Sequence, residues 1–137
     1  MALLKWDKNY SVNIDIIDNQ HRRIIHLLNR MHDAIIRQNA QPETDGILHD
    51  LIRCMEEEFY QEEELLLLTN FPYIEEHLDS HQKLAETALD LQTRYKEGED
   101  VTFDLMQFLT TWITQHIMSE DKLYEEFLSE ALNPQIV

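Results

Sequence analysis

The side chains best suited to chemistry in this chain are histidines and carboxylates at positions where an amphipathic helix normally places leucine. Four segments show apolar residues spaced three and four apart, the pattern of a helix with one buried face. Each segment carries at least one imidazole or carboxylate on that face. Histidine nitrogens and carboxylate oxygens are common ligands of transition metals. The candidate ligands are His21, Glu58, Glu62, His77, His81, His116 and Asp121.

Two pairs in this set have the spacing that places side chains one above the other. His77 and His81 are four residues apart, as are Glu58 and Glu62, so each pair lies one turn apart on a single helix face. Burying so many ionisable groups without partners is costly compared with the net stability of a domain. The pattern therefore predicts a metal centre inside a helical bundle.

Each residue taken alone also has a simpler interpretation. A single inward histidine such as His21 is more often a hydrogen-bonded core residue than a ligand. The glutamates at 56–58 and 62–64 are typical of a solvated acidic face. Three consecutive helical residues span about 200°, however, so one glutamate of each run faces the interior, and the apolar pattern selects Glu58 and Glu62.

The last two candidate ligands do not share a helix face in an ideal α-helix. His116 and Asp121 are five residues apart, which leaves them about 140° out of alignment. They meet at one centre only if the helix bends, tightens or ends between them. Asp121 by itself also suits a helix cap. The remaining histidines, His26, His32 and His49, fall off the buried faces and are predicted at the surface.

Four predicted helices position these side chains. The first covers residues 18–38, and the polar stretch 39–45 is predicted to form the turn before the second. Pro72 and Gly98 mark the next two breaks, and short connections of this kind join antiparallel neighbours. The sequence therefore predicts an all-α, antiparallel up-down-up-down four-helix bundle with a short C-terminal helix. Apolar residues predicted on its buried faces include Ile35, Leu65, Leu123 and Phe127.

Residues 1–17 are predicted to form a nonhelical N-terminal arm. The arm contains several large apolar side chains, which we expect to pack on the bundle. These residues are Trp6, Tyr10, Val12, Ile14 and Ile16.

Length and composition indicate one soluble helical domain over residues 1–137. Two glycines and three prolines are too few for a turn-rich β-sandwich or a glycine-rich phosphate loop. A formal net charge of −16 disfavours nucleic acid and anionic membranes as partners, and no apolar run approaches the ~20 residues of a membrane span. A signal-peptide pattern is absent, and the single cysteine, Cys54, fits a reducing compartment. We therefore expect a cytoplasmic protein.

The motifs around the candidate ligands resemble those of the bacterial hemerythrins over nearly the whole chain. Residues 5–21 resemble the family's opening segment, which ends in a histidine ligand, and residues 77–81 resemble its His-x-x-x-His element. Residues 112–121 are similar to the closing Trp-x-x-x-His-Ile-x-x-x-Asp. Residues 58–63 resemble the family's His-Phe-x-x-Glu-Glu, except that Glu58 stands at the position of the histidine.

This resemblance implies two non-heme irons inside the bundle, joined by two carboxylates and an oxo or hydroxo bridge, that bind O2 reversibly. Carried over by position, His77, His81 and His116 hold the iron that is coordinatively filled. Glu62 and Asp121 bridge the two irons.

The second iron, which meets O2, is the one at which this sequence departs from the family. His21 holds it in the resemblance, and Glu58 replaces its other histidine ligand. The resemblance also implies an apolar O2 pocket that excludes water and slows the loss of reduced oxygen. The pocket residues are Ile24, Phe59, Trp112, Ile113 and Ile117.

The exchange of a neutral imidazole for Glu58 makes the site one unit more negative. An anionic oxygen donor favours ferric over ferrous iron, and the harder ligand set makes Mn an alternative metal. One hypothesis is an O2-binding protein for transport, storage or sensing, which the resemblance favours. A second is a di-iron carboxylate site that reacts with O2 or peroxide, as an oxidase or peroxidase-like centre.

A third hypothesis is an interaction module with reduced metal content, although every ligand position holds a residue that binds metals. A histidine phosphotransfer bundle fits poorly, because it needs one exposed histidine rather than several inward ones. The sequence identifies no separate catalytic residue. A reductase or partner protein needed for redox or sensing roles would be a separate molecule.

Overall fold

Four bundle helices and an N-terminal arm make up the part of the chain that the structure describes. The computed structural model describes residues 4–12 and 14–132, so residues 1–3, 13 and 133–137 of the predicted domain lie outside the described residues. The fourth bundle helix consists of three consecutive pieces, and the arm contains a 3-10 turn at Lys8–Tyr10. The bounds are α1 Asp15–Ile36, α2 Ala40–Leu68, α3 Ile74–Lys96, α4 Thr102–Thr111, a π-helical segment Trp112–Glu120 and α5 Lys122–Leu132.

Ion pairs between neighbouring helices show how the chain runs. Arg23 of α1 pairs with Glu57 of α2 at 2.8 Å, and Arg30 pairs with Asp50 at 2.7 Å, so residue numbers fall along α2 as they rise along α1. The contacts α1–α2, α2–α3, α3–α4 and α4–α1 close a ring around a common core. The predicted all-α four-helix bundle is confirmed.

The first three helices end in the same backbone motif. The residue after each C-cap has a positive φ, 57° at Gln38, 57° at Asn70 and 96° at Gly98. The N–H of the next residue then reaches back over the last turn, as Asn39 does to the carbonyl of Ala34 at 2.8 Å, and the same bond closes α2 and α3. These abrupt ends keep the connections short, which favours antiparallel neighbours.

Helix α2 begins earlier than the sequence predicted. Residues 40–45, predicted as part of a turn, belong to its first turns. Pro42 is tolerated there because the first N–H groups of a helix have no acceptor within it. The connection from α1 therefore shrinks to residues 37–39.

The N-terminal arm is fixed to α1 by hydrogen bonds at both of its ends. The Leu4 N–H donates to Asn29 Oδ1 at 2.9 Å, and the Asn29 amide donates back to the Leu4 carbonyl at 2.8 Å. Val12 is fully buried, and its N–H donates to the Asp18 carboxylate at 2.8 Å. Trp6, Tyr10 and Ile14 are half-buried against the apolar core. The predicted packing of the arm is thus confirmed for these residues.

Apolar positions near helix ends depart from the predicted pattern. Ile16 is 47% exposed and Ile35 is 38% exposed, while Leu65 is half-buried. The fully buried residues are instead the neighbouring Ile17 and Leu66. Helix α1 begins at residue 15, inside the segment predicted as arm, which places Ile16 on a solvent-facing side. Periodicity alone does not show where the flanking helices end, so it misplaces such terminal positions.

The π-helical segment changes which residues of the fourth helix face the core. A π turn accommodates one residue more than an α turn, so the buried positions beyond His116 move along the chain by one. Tyr124 and Leu128 are fully buried, whereas Leu123, predicted as buried, is 70% exposed. Phe127 is half-buried.

Two apolar clusters enclose the polar residues of the buried faces. The larger one fills the body of the bundle between all four helices. The smaller one, called the apolar cap below, lies where the end of α2, the α2–α3 turn and α5 meet. It consists of Leu66, Phe71, Tyr124 and Leu128. Among the described residues, no helix combines the length and apolarity that a membrane span needs.

The two glycines test the assignment of helix ends, because Gly98 follows the end of α3 and Gly46 lies inside α2. We expect Gly98→Ala to lower the free energy of unfolding by about 1 kcal/mol, because a positive φ strains a residue with a Cβ. Gly46→Ala in the interior of α2 is expected to raise it by about 0.5–1 kcal/mol, since the new Cβ has only an ordinary contact with Arg30. Urea unfolding of the metal-free protein measures both, and shifts of the same sign would contradict this assignment of helix ends.

Candidate metal centre

Seven buried side chains from all four bundle helices converge between the larger cluster and the apolar cap. They are the seven candidate ligands of the sequence, and each is at most 5% exposed. They form two groups, and within each group the ligand atoms lie within 4.8 Å of one another. Two carboxylates, Glu62 and Asp121, belong to both groups. The larger group adds His77, His81 and His116, and the smaller adds His21 and Glu58.

Glu62 presents one oxygen to each group. Its Oε1 lies 2.9 Å from His81 Nε2 and also contacts His77 Nε2. Its Oε2 lies on the other side, 3.9 Å from His21 Nε2, and accepts a hydrogen bond from the Tyr124 hydroxyl at 3.0 Å. A carboxylate in this orientation is suited to bridging two cations.

Asp121 is oriented in the same way. Its Oδ1 lies 3.2 Å from His77 Nε2 and 3.1 Å from His116 Nε2, and its Oδ2 lies 3.0 Å from His21 Nε2. The π-helical segment makes this possible, because its hydrogen bonds join residues five apart, as in the 2.8 Å bond from the Asp121 N–H to the His116 carbonyl. The spacing predicts a helix that bends, tightens or ends between these two residues, but the helix instead widens there.

Glu58 is fully buried beside His21, with its Oε1 3.0 Å from the imidazole Nε2. Within the described part of the chain, neither Glu58 oxygen accepts a hydrogen bond of good geometry. Burial raises the pKa of Glu58, and the neighbouring His21 charge only partly opposes that shift. A buried carboxylate without a donor is costly, and a cation would satisfy it. The donor set therefore fits a metal on this side of the centre.

Two polar groups outside the centre orient the histidines of the larger group. Glu63 Oε2 lies 2.6 Å from His81 Nδ1, and Ser80 Oγ lies 3.2 Å from His116 Nδ1. Such partners fix the ring so that Nε2 faces the centre, and they strengthen the imidazole as a ligand. Neither residue was predicted from the sequence as part of the site. Helical spacing would have placed Ser80 beside the His77–His81 turn, but only the packing of α3 against the fourth helix brings it to His116.

The buried carboxylates raise the pKa values of three histidines in the centre. Burial alone would lower the pKa of His77 and His81, but hydrogen bonds and charge from the carboxylates raise these values to about 10 and about 9. Burial would also lower the pKa of His21, yet Glu58 and Asp121 raise it well above its usual value. Without metal, His77 and His81 are therefore protonated at neutral pH.

The sequence predicts five apolar residues as an O2 pocket beside the centre. All of them are buried in the larger cluster. The Phe59 ring stacks on His81 with ring centroids 3.8 Å apart, and it also contacts Trp112 at 5.5 Å. The other three are Ile24, Ile113 and Ile117, each at most 1% exposed.

Residues 12–128 match the family model described as the hemerythrin HHE cation binding domain. The chain belongs to the hemerythrin family. It is 31% identical over 134 residues to a bacteriohemerythrin of Stenotrophomonas maltophilia, which covers 97% of this chain and 86% of that protein. It is also 31% identical over 131 residues to a bacteriohemerythrin of Methylococcus capsulatus, covering 94% of this chain and 99% of the relative.

Solved hemerythrin structures have the same fold. A crystal structure of a hemerythrin with one leucine changed to alanine superposes with a TM-score of 0.84 and 30% sequence identity, covering 94% of this chain and 99% of that chain. The agreement therefore covers most of the chain.

Histidines outside the hemerythrin centre lie largely where the sequence placed them. His26 and His49 are exposed, as predicted, whereas His32 is half-buried.

Tyr124 is the principal contact of the centre that was not predicted from the sequence. The signal was a tyrosine one turn beyond Asp121, but the α-helical pattern selected Leu123 for the core instead.

Metal binding by this hemerythrin centre should be coupled to proton release. Because the pKa values of His77 and His81 lie at about 10 and about 9, a metal must displace both protons at pH 7. We expect Mn²⁺ titration in weak buffer to release at least two protons per chain, and the affinity to rise by about 100-fold per pH unit between pH 7 and 8.5. The exposed-residue variant His49→Ala should behave like wild type. Binding without proton release would contradict the assignment.

Proposed function

We propose that this chain is a non-heme di-iron protein that binds O2 inside the bundle, with Glu58 as a ligand where the family has histidine. The observation that carries the proposal is the orientation of two shared carboxylates. Glu62 and Asp121 each place one oxygen on either side, towards two separate groups of buried donors. Family membership supports iron as the metal, and Mn is the alternative for an oxygen-rich ligand set.

The two donor groups differ in size, which supports different roles for the two irons. The three-histidine group offers five ligand residues, whereas the group of His21 and Glu58 offers four. The smaller group leaves more of the coordination sphere to an outside ligand, as open metal sites do. We therefore assign O2 to the iron held by His21 and Glu58.

The protein surroundings of the centre suit O2 binding. When bound, a ferrous pair supplies the electrons that O2 takes up. Ile24, Trp112 and Ile117 are fully buried in the cluster that packs around the centre. Such apolar surroundings exclude water and slow the escape of reduced oxygen. The buried free cysteine Cys54 is consistent with the proposed cytoplasmic location.

Glu58 is also the observation that favours a second candidate function. Two ferrous ions carry four positive charges, and Glu58 raises the number of buried carboxylates around them from two to three. Because the added charge stabilises ferric iron, the centre would react with O2 or peroxide as an oxidase or peroxidase-like site, supplied with electrons by a separate reductase. The complete donor set argues against a metal-poor interaction module.

Iron content and optical spectra of anaerobically purified protein separate these functions. We expect two irons per chain and, on admission of air, a new visible absorption band that disappears under vacuum. Direct conversion to a stable ferric spectrum would instead favour the oxidase or peroxidase-like function. One iron per chain, or none, would contradict a di-iron centre.

Changing Glu58→His tests the ligand that distinguishes this chain from its family. We expect the O2 adduct to last several times longer, because removing the third carboxylate makes ferrous iron harder to oxidise. Stopped-flow spectroscopy of the fully loaded variants measures this lifetime.

The neighbouring glutamate provides the matched control. Glu57 lies on the solvent side of the same turn, with its side chain 48% exposed. Glu57→His should leave both iron content and adduct lifetime as in wild type. An unchanged lifetime in Glu58→His would show that Glu58 does not reach the iron.

A further inference from the structure

Tyr124 is the one member of the apolar cap with a polar group. Its side chain is fully buried, and its hydroxyl donates to Glu62 Oε2 at 3.0 Å. Its ring packs edge-on against His77, with centroids 5.3 Å apart, and against Phe71, with centroids 6.1 Å apart. The tyrosine therefore touches both the centre and the apolar residues that cover it.

A phenylalanine would fill the same space at lower cost. The other cap residues, Leu66, Phe71 and Leu128, are apolar, and a buried hydroxyl loses its hydration unless it finds an acceptor. The acceptor of the Tyr124 hydroxyl is a carboxylate shared by both donor groups.

The hydrogen bond is made to one particular oxygen of Glu62. Oε1 faces His77 and His81, whereas Oε2, the acceptor of Tyr124, lies on the side of His21. A carboxylate oxygen has two lone pairs, so Oε2 is able to accept from the hydroxyl and still face a cation. The histidines on one side and the Tyr124 hydroxyl on the other thus hold the Glu62 carboxylate with one oxygen towards each donor group.

We propose that Tyr124 is a positioning residue that holds Glu62 in a bridging orientation and thereby sets the affinity of the second metal position. This inference rests on the proposed di-iron function. Without the hydroxyl, rotation of the Glu62 side chain turns both oxygens towards the three-histidine group. The group of His21 and Glu58 then loses one of its four donor residues.

Stepwise metal binding tests this role. Metal-free wild type and Tyr124→Phe are titrated anaerobically with Mn²⁺, and bound metal is counted by electron paramagnetic resonance. We expect the first metal to bind both proteins with affinities within about twofold of each other. The second should bind Tyr124→Phe about 10–100-fold more weakly, the effect typical of losing an outer hydrogen bond to a ligand.

Two control variants separate the hydroxyl from packing. Phe71→Leu perturbs the same cap without removing a hydrogen bond to Glu62. Tyr95→Phe removes a tyrosine hydroxyl that donates to the Gln41 carbonyl at 3.0 Å, away from the centre. Both controls should keep the wild-type ratio of the two affinities. Infrared spectra of ¹³C-glutamate-labelled protein add a direct readout, because bridging and chelating carboxylates differ in the separation of their stretching bands.

The outcomes distinguish this inference from the proposed function. If wild type binds fewer than two metals, the di-iron proposal and the positioning role both fail. If wild type binds two metals and Tyr124→Phe binds both equally well, only the positioning role is overturned. It is also overturned if Phe71→Leu weakens the second metal as much as Tyr124→Phe does.

Discussion

Three carboxylates and four imidazoles are buried together in the middle of an apolar bundle. The structure depends on compensating the charge of each set with the other. Neither set is tolerable alone, because a buried charge without a partner costs more than the net stability of a small domain easily supplies. Interleaving the two sets lets each carboxylate face imidazole nitrogens, and metals would replace the protons that the metal-free centre must hold. The apolar cluster on one side and the cap on the other strengthen these interactions by keeping water out.

The π-helical segment is what allows this cluster to close. An uninterrupted α-helix would turn His116 and Asp121 away from each other, and the centre would lose a carboxylate that both groups share. The wider segment aligns them and also rotates everything that follows. Tyr124 consequently reaches Glu62, and Leu123 turns to solvent. One local irregularity thus determines both which side chains meet at the centre and the composition of the cap that covers it, and π segments are frequent at functional sites.

Glu58 changes the electrostatics of the centre without disturbing its framework. It occupies a fully buried position beside His21, within a bundle that superposes on known hemerythrins. Because charge in a region of low dielectric acts strongly on neighbouring groups, one additional buried carboxylate changes the electrostatic potential at the centre more than the same change at the surface would. The exposed acidic residues that give the chain its net charge of −16 act mainly through solvent and are screened by salt.

The sequence by itself determined the helical class, the inward faces and the identity of the seven polar side chains at the centre, because a periodic pattern reports directly which side of a helix is buried. It misplaced Ile16 and Leu65 near helix ends and Leu123 beyond the π segment. The reason is that a periodic pattern assumes a regular α-helix with packing partners along its whole length. Only the tertiary structure decided which oxygen of Glu62 and Asp121 faces which group, and that Glu63, Ser80 and Tyr124 support the centre. These contacts join residues from different helices, and their geometry depends on how the helices pack rather than on spacing along any one of them.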